Sequence, residues 1–204
     1  RNSLRDGRYD RNADDGRADA LMAYLILSCS LNPQSRSRVL AREAATRIED
    51  AGGEVEFVDL REYPLPMCDG GMTTLDANAQ RLACKIAESD GVVIACPIYN
   101  FNVSSSVKNL VELTGNVWHD KVVAFVCATG GDASYMAHMG IANSLMLDFR
   151  CVVAPRFVHA NETEVTPERI VNAETKRHVD ELITMFLRIA RALSPVSENA
   201  GPSA

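Results

Sequence analysis

The stretch that decides the fold is AYLILSCSLNPQSRSR, residues 23–38. Its first seven residues, 23–29, are mostly apolar and lead into turn-forming residues, which predicts a buried parallel strand. A helical pattern begins near Val39, and a strand, a short polar loop and a helix N-terminus together attract a phosphate through unpaired N–H groups and the helix dipole. The same residue types also cap helices and form turns without a ligand, so this loop alone leaves both interpretations open. The polar side chains of the loop are Ser30, Asn32, Ser35 and Ser37.

The bulk composition is that of a single globular domain. The chain has 204 residues, of which 47% are hydrophobic and 24% charged. A net charge of −6 argues against a nucleic-acid partner, because such a protein needs a basic surface. No apolar run reaches the length of a membrane span, so we expect no membrane association either.

The cysteines and histidines predict a reduced protein without a metal site. Cys29, Cys96 and Cys127 lie near the ends of apolar runs, where free cysteine packs as a small hydrophobe. There is no C-x-x-C motif, and the four histidines, at positions 119, 138, 159 and 178, are scattered. We therefore expect a cytoplasmic protein with free thiols and no metal ligands.

The two ends of the chain differ from the rest. Residues 1–21 contain five Arg and five Asp and lack an apolar period, which predicts a flexible or disordered leader. Met22 directly precedes the first strand, so we expect the natural start at or near it. Residues 194–204 are small and polar and predict a flexible tail, which leaves one domain over residues 22–193.

Strands and helices alternate along this domain. Apolar runs predict strands over 23–29, 55–60, 91–96, 121–128 and 151–158, with Pro97 ending the third. Amphipathic patterns predict helices over 39–50, 77–89, 105–113, 134–149 and 167–193. Three of the strands are almost wholly apolar, which indicates a parallel sheet covered by helices on both faces.

Three loops follow strand carboxyl ends, where doubly wound sheets bind their ligands. They are residues 30–37, 97–102 and 129–132. They offer a polar anion loop, two aromatics with amide side chains, and glycines that allow close backbone approach, which suits a flat, phosphorylated molecule. The chain has no G-x-G-x-x-G, no P-loop and no G-x-S-x-G motif. It also shows no evident acid–base pair or Cys–His nucleophile, which favours chemistry carried by a cofactor.

These loops resemble those of the NADPH-dependent FMN reductase family, a branch of the flavodoxin-like proteins. SLNPQSRS (30–37) is similar to the family's phosphate loop, PIYN (97–100) with VKNLVE (107–112) to its P-E-Y-N…L-K-N stretch, and ATGG (128–131) to its S-T-G-G loop. The likeness extends over residues 22–193. It implies a flavodoxin-like α/β fold with a five-stranded parallel sheet in the order 2-1-3-4-5 and helices on both faces.

The resemblance also implies a set of FMN-binding residues and no catalytic side chain. By this likeness the phosphate is held by Ser30, Asn32, Ser35 and Ser37. The ribityl chain and the ring edge run along Pro97, Ile98, Tyr99 and Asn100, with Phe101 extending that wall. The pyrimidine side of the ring meets Thr129, Gly130 and Gly131.

Several residues depart from the family pattern. Cys29 stands where a glycine is usual, and Ile98 stands where a glutamate is usual. Asn32 occupies the position at which an arginine commonly meets the phosphate, and Arg36 is the candidate to replace that charge from within the loop. We expect Lys108 and Asn109 to stabilise helix and loop locally rather than to contact the ligand.

The implied activity is hydride transfer from NADPH to bound FMN and then to an acceptor, such as a free flavin, a quinone, an azo compound or a metal oxyanion. The family likeness also implies a homodimer or homotetramer, and the surfaces we expect to take part are loop 64–71 and the methionine-bearing helix after Gly131. Two alternatives remain open from the residues: a flavodoxin-type electron carrier without NADPH turnover, and an interaction module that has lost its cofactor.

Overall fold

The computed structural model describes residues 22–194, so the predicted leader over 1–21 and nearly all of the predicted tail lie outside the described residues. The strands are β1 (Ala23–Ser28), β2 (Glu54–Asp59), β3 (Gly91–Tyr99), β4 (Asn102–Val103), β5 (Val122–Ala128), β6 (Val152–Val153) and β7 (Val158–Ala160). The helices are α1 (Arg36–Asp50), α2 (Ala77–Glu88), α3 (Ser105–Thr114), α4 (Met139–Phe149) and α5 (Ala173–Leu193). Short 3-10 turns cover Leu60–Glu62, Met72–Leu75, Gly115–Trp118 and Asp132–Ser134.

The sheet follows the order β2-β1-β3-β5-β6, and every pairing along this path is parallel. The predicted order is therefore confirmed. The predicted count of five strands is wrong, since the described residues form seven. The predicted fifth strand divides around Pro155 into β6 and β7, which both pair with β5, and β4 adds a short antiparallel partner to β3.

The core has two layers, one on each face of the sheet. Alternate side chains of β1 and β3, such as Leu27 and Ile94, pack under α2, α3 and α4. Their neighbours, such as Ile26 and Val93, pack under α1 and α5. Strands that bury both faces need apolar residues at nearly every position, which explains the continuous apolar runs in the sequence.

The predicted third strand ends too early, because β3 continues through Pro97 to Tyr99. The carbonyl of Ala95 points towards β1, where it accepts the N–H of Cys29 at 2.8 Å. The backbone nitrogen of Pro97 faces the same side as the Ala95 carbonyl, since residues two apart on a strand have the same orientation. By that position β1 has turned into its loop, so no neighbouring strand requires the N–H that proline lacks.

Three helix starts also differ from the sequence prediction. Helix α1 begins three residues early because the side chain of Ser35 caps it. Helix α5 begins six residues late, at Ala173, because Asn172 caps the N–H groups of Glu174 and Thr175. Residues 135–138 form turns, so α4 begins at Met139 rather than at 134. Within residues 22–194, no helix combines the length and the apolar character that crossing a bilayer requires.

Candidate functional site

The candidate site lies at the carboxyl edge of the sheet, above β1, β3 and β5. The chain moves from β1 to β2 on one side and then to β3 on the other, so the crossovers diverge between β1 and β3. Ligands of open α/β sheets bind at this type of crevice. The three predicted loops meet here because parallel strands bring their carboxyl ends to one edge.

The loop after β1 is held in shape by bonds between its own backbone and side chains. The N–H of Asn32 donates to Ser30 Oγ at 3.3 Å, and the N–H of Gln34 donates to Asn32 Oδ1 at 2.9 Å. The N–H of Arg38 donates to Ser35 Oγ at 3.4 Å, which caps α1. Ser30 and Ser35 are buried, whereas residues 31–34 form the exposed crest of the loop. The helix N-terminus and this crest lie where the sequence analysis predicts an anion site.

Arg38 supports the loop from behind, a role that the sequence analysis missed. Its Nε donates to Asp59 Oδ2 at 2.7 Å, and both side chains are buried. Its Nη1 donates to the carbonyls of Asn32 and Pro33, each at 3.2 Å, and its Nη2 donates to the carbonyl of Ser30 at 3.1 Å. In a trans peptide the C=O and the next N–H point in opposite directions. The guanidinium therefore turns these carbonyls inward. Of the residues that follow them, Pro33 has no N–H and Gln34 donates its N–H to Asn32 Oδ1, so the N–H of Leu31 is the one this arrangement directs away from the guanidinium.

Asp59 is the carboxylate that holds this guanidinium. It also accepts from the Arg61 side chain, at 2.7 Å in the shortest contact, and from the backbone N–H of Arg61 at 3.1 Å. Burial alone would raise the pKa of Asp59, but the hydrogen bonds from Arg61 and Arg38 hold it below its usual value of 3.8. The carboxylate is therefore charged at neutral pH and keeps Arg38 in place.

Ser37 and Arg36 occupy different positions within the same loop. Ser37 is fully buried, and its Oγ lies 2.9 Å from Ser35 Oγ. It therefore orients the capping hydroxyl rather than facing the crevice. Arg36 is half-buried, and its Nη1 atom is shut off from solvent without a hydrogen-bond partner among residues 22–194.

The second predicted segment forms a β-hairpin rather than a loop that follows a strand. Tyr99 pairs with Asn102 across a two-residue turn made of Asn100 and Phe101, whose φ angles are +50° and +61°. Both turn residues are thus in the left-handed region, which is rare for a bulky residue such as Phe101. The Tyr99 and Phe101 side chains remain more than half exposed, while Ile98 is buried. The turn places two aromatic rings at the rim of the crevice at a cost in backbone strain.

The third loop leaves its backbone open. Thr129 is buried, donates its N–H to the carbonyl of Ala160 and donates its hydroxyl to the carbonyl of Gly131, both at 2.9 Å. A Cβ placed on Gly130 or Gly131 would meet no described atom within 4 Å. The protein's own packing therefore does not require these glycines, and the space beside them is free for a ligand.

Helix α3 and loop 64–71 close the side of the site. Ser106 Oγ donates to the carbonyl of Cys29 at 2.6 Å, which fixes the start of α3 against the first loop. Asn109 holds the 64–71 loop, because its Oδ1 accepts the N–H of Cys68 at 2.8 Å and its Nδ2 donates to the carbonyl of Pro66 at 2.9 Å. The expectation that Asn109 stabilises its surroundings locally matches these contacts.

A buried cluster next to the third loop was not anticipated from the sequence. His138 Nδ1 lies 3.2 Å from His159 Nε2, and both residues pack around Phe157. Burial lowers the pKa of His138 to about 4, with His159 contributing, and burial likewise lowers the pKa of His159 to about 4. Both imidazoles are therefore neutral at neutral pH. The sequence suggested only scattered histidines, because the contact depends on strand register.

Comparison with known proteins identifies the family. The family model described as NADPH-dependent FMN reductase matches residues 22–164. The chain belongs to this family. The family predicted from three short motifs is thus confirmed, and so is the enzyme class: an FMN-dependent oxidoreductase with NAD(P)H as co-substrate.

Individual members of the NADPH-dependent FMN reductase family and related flavoenzymes resemble the chain over most of its length. The FMN reductase (NADPH) of Pseudomonas putida is 25% identical over 183 residues, which cover 85% of this chain and 92% of that protein. The NAD(P)H:quinone oxidoreductase of Solanum tuberosum is 30% identical over 140 residues, covering 63% of this chain and 70% of its own. Among solved structures, FerB, the NAD(P)H:(acceptor) oxidoreductase of Paracoccus denitrificans, superposes with a TM-score of 0.68 at 20% identity, covering 84% of this chain and 98% of FerB. That structural likeness supports the flavodoxin-like fold.

Proposed function

We propose that the crevice above β1, β3 and β5 binds FMN through eleven of the twelve residues named from the sequence, with the twelfth, Ser37, acting through Ser35. The phosphate lies at the first loop, where Ser30, Ser35 and Asn32 offer hydroxyl and amide donors and Ser37 orients Ser35. The ribityl chain and ring edge follow residues 97–101, largely along backbone groups. The polar edge of the ring approaches the open backbone of residues 129–131.

The unpartnered guanidinium nitrogen of Arg36 is the strongest support for this assignment. Its Nη1 is a buried donor without a partner among residues 22–194, and an unsatisfied charged donor costs free energy in the ligand-free protein. A phosphate dianion at the adjacent helix N-terminus would satisfy it once the half-buried side chain rotates to bring Nη1 to the surface. Arg36 then supplies the charge that Asn32 lacks.

When bound, FMN supplies hydride and electron transfer between NAD(P)H and a second substrate. The chain holds the cofactor at the crevice and presents one ring face between the rim aromatics Tyr99 and Phe101. We propose a quinone as the acceptor class. The named quinone oxidoreductases among the relatives support this choice, and the exposed aromatic rim offers a surface for a flat, apolar second substrate.

Replacing Arg36 by Met tests the phosphate assignment with two readouts that move in opposite directions. The apoprotein should be as stable as wild type or more stable, because an unsatisfied guanidinium is removed. FMN affinity should fall about 10-fold to 100-fold, the range of one charge-assisted hydrogen bond of about 1.5–3 kcal/mol. The measurements are chemical denaturation of the apoprotein and fluorescence titration with FMN.

The exposed residue Arg42, on the same helix, provides the matched control. Arg42→Met should leave FMN affinity unchanged. Unchanged affinity in Arg36→Met would remove Arg36 from the site. A wild-type protein that binds no FMN would overturn the proposal and favour a cofactor-free interaction module, whereas FMN binding without NADPH oxidation in the presence of a quinone would favour an electron carrier.

We also propose that the protein is a homodimer or homotetramer. Loop 64–71 and the turn after it expose the apolar side chains of Met67, Met72 and Leu75. Helix α4 exposes Met146 and Leu147. Light scattering should give a mass of two or four times that of the chain, and Leu147→Glu should lower it if α4 forms the contact; a monomeric wild type would contradict the proposal.

We place the protein in a reducing compartment, in keeping with the cytoplasmic location expected from the sequence. All six cysteines are free, although the sulfur atoms of Cys96 and Cys127 lie 3.9 Å apart on neighbouring strands. Thiol titration of protein isolated under non-reducing conditions should count six thiols per chain.

A further inference from the structure

The register of the sheet places thiol and imidazole side chains in one row. Cys96 pairs with Cys127 across β3 and β5, and Cys127 pairs with His159 across β5 and β7. Residues in register on adjacent strands point to the same face of a sheet. His138, from the turn before α4, reaches the same place and contacts His159. Four residues from separate segments therefore meet on one face, next to the loop that begins at Thr129.

The distances within this row match those of a metal site. One ligand atom each from Cys127, His138 and His159 can be chosen so that all lie within 4.8 Å of one another. Ligand atoms around a tetrahedral zinc ion, at 2.0–2.3 Å from the metal, are separated by about 3.3–3.8 Å. His138 Nδ1 and His159 Nε2 are 3.2 Å apart, and the sulfur atoms of Cys96 and Cys127 are 3.9 Å apart. Coordination requires the Cys127 sulfur and the two imidazole nitrogens, which lie within 4.8 Å of one another, to approach to this separation.

The surroundings suit a closed site. The rings of Phe125, Phe157 and Tyr135 pack against the imidazoles, with centroids 5.4, 4.0 and 5.7 Å away. Such an apolar lining excludes competing water.

We propose that Cys127, His138 and His159 bind a zinc ion, with Cys96, whose sulfur lies 3.9 Å from that of Cys127, as the candidate fourth ligand. One thiolate and two imidazoles are ligands that Zn²⁺ prefers, whereas magnesium and calcium prefer oxygen. Zinc displaces the proton of the Cys127 thiol on binding. The sequence predicted no metal site because its spacing shows no ligand motif; the ligands meet only through strand register.

The ion would cross-link β5, β7 and the turn before α4. These three elements enclose residues 129–138, whose first three residues are proposed to face the flavin. A bound zinc ion therefore restrains that segment. The proposal does not depend on FMN binding, because none of its ligands is among the proposed FMN contacts.

Metal titration of the full chain tests the site. The exposed Cys84 and the half-buried Cys68 are replaced by Ser in every sample, since surface thiols bind zinc adventitiously. After treatment with a chelator, the protein should bind one Zn²⁺ per chain, and the melting temperature should rise by about 5–10 °C at a free zinc concentration 100 times the Kd. Co²⁺ in place of zinc should give a thiolate-to-cobalt charge-transfer absorption.

Ligand variants with matched controls decide the outcome. Cys127→Ser and His159→Gln should each weaken zinc binding at least 100-fold, and Cys127→Ser should abolish the charge-transfer band unless Cys96 supplies it. Cys151→Ser, at another buried thiol, and His178→Gln, at a more exposed imidazole, should bind zinc as the parent does. Thermal melting of every variant without metal shows which of them remain folded. If Cys127→Ser does not fold, the single variants His159→Gln and Cys96→Ser provide the test instead. The proposal would be overturned if the parent bound less than one Zn²⁺ per chain, or if folded ligand variants bound zinc as tightly as the parent. A separate FMN titration of each variant keeps this result independent of the flavin site.

Discussion

The loop after β1 and the hairpin after β3 stand side by side at the site, yet they are stabilised in opposite ways. Residues 30–37 are held by a buried ion pair behind them, in which Arg38 reaches three loop carbonyls and Asp59. Within residues 22–194 no buried ion pair supports the turn at Asn100 and Phe101, which adopts left-handed backbone angles. Preorganising residues 30–37 thus costs the free energy of burying charged groups, whereas forming the hairpin turn costs backbone strain. In the proposed complex the phosphate would need fixed donors, whereas the flat ring would need only a wall, and the two kinds of support fit these roles.

Of the variants considered, replacement of Arg38 should have the largest effect on the free energy of unfolding and on FMN binding. Arg38→Met leaves the buried Asp59 with Arg61 alone and releases three loop carbonyls. We expect a loss of about 3–5 kcal/mol in the free energy of unfolding, as for other broken buried ion pairs, together with weaker FMN binding. Chemical denaturation and FMN titration measure the two effects.

Two further variants show whether the geometry or the charge of Arg38 matters. Arg38→Lys keeps the charge but lacks the planar fork, so it should recover only part of the loss. Arg42→Met, at an exposed position over the Phe57 ring, should cost less than about 1 kcal/mol. If Arg38→Lys equals wild type in both measurements, the fork does not organise the loop.

The carboxylate on the other side of the pair gives a pH-dependent prediction. Asp59→Asn should lower the free energy of unfolding at pH 7 by about 1.5–3 kcal/mol, the contribution of a hydrogen bond to a charged group. The pKa of Asp59 is lower in the folded state than its usual 3.8, so its stabilisation is present above pH 3.8 and is lost as the pH falls through the folded value. The gap between wild type and Asp59→Asn should therefore close on acidification below pH 4. Denaturation at pH 7, 5, 4, 3 and 2 follows it, with Asp148→Asn on the exposed face of α4 as the control; a gap that does not narrow between pH 4 and pH 2 would contradict the prediction.

The sequence predicted the parallel sheet and the three loops because each depends on local patterns, whereas the strand order came from the family resemblance. Apolar runs mark buried strands, and glycine, serine and asparagine mark the turns between them. Arg38 was missed because its partner Asp59 lies 21 residues away on another strand, and nothing local distinguishes it from Arg36. The cluster of Cys127 with His159 was missed for the same reason, since only strand register joins them.

The smallest effect concerns the strained turn, where stability and binding should move apart. Phe101→Gly removes a left-handed phenylalanine and creates Asn-Gly, the sequence that such two-residue turns favour. The relief of about 1–2 kcal/mol of strain exceeds the extra unfolded-state entropy of glycine, so the protein should gain about 0.5–1 kcal/mol. Loss of the ring should weaken FMN binding about 3-fold to 10-fold if Phe101 forms part of the flavin wall. Phe101→Ala separates the effect of the ring from that of backbone strain, because it removes the ring and keeps the strain. Its FMN affinity should match that of Phe101→Gly, while its free energy of unfolding should not rise above that of wild type. Equal stability of the two variants would show that the backbone of the turn is not strained, and unchanged affinity in both would remove Phe101 from the flavin wall.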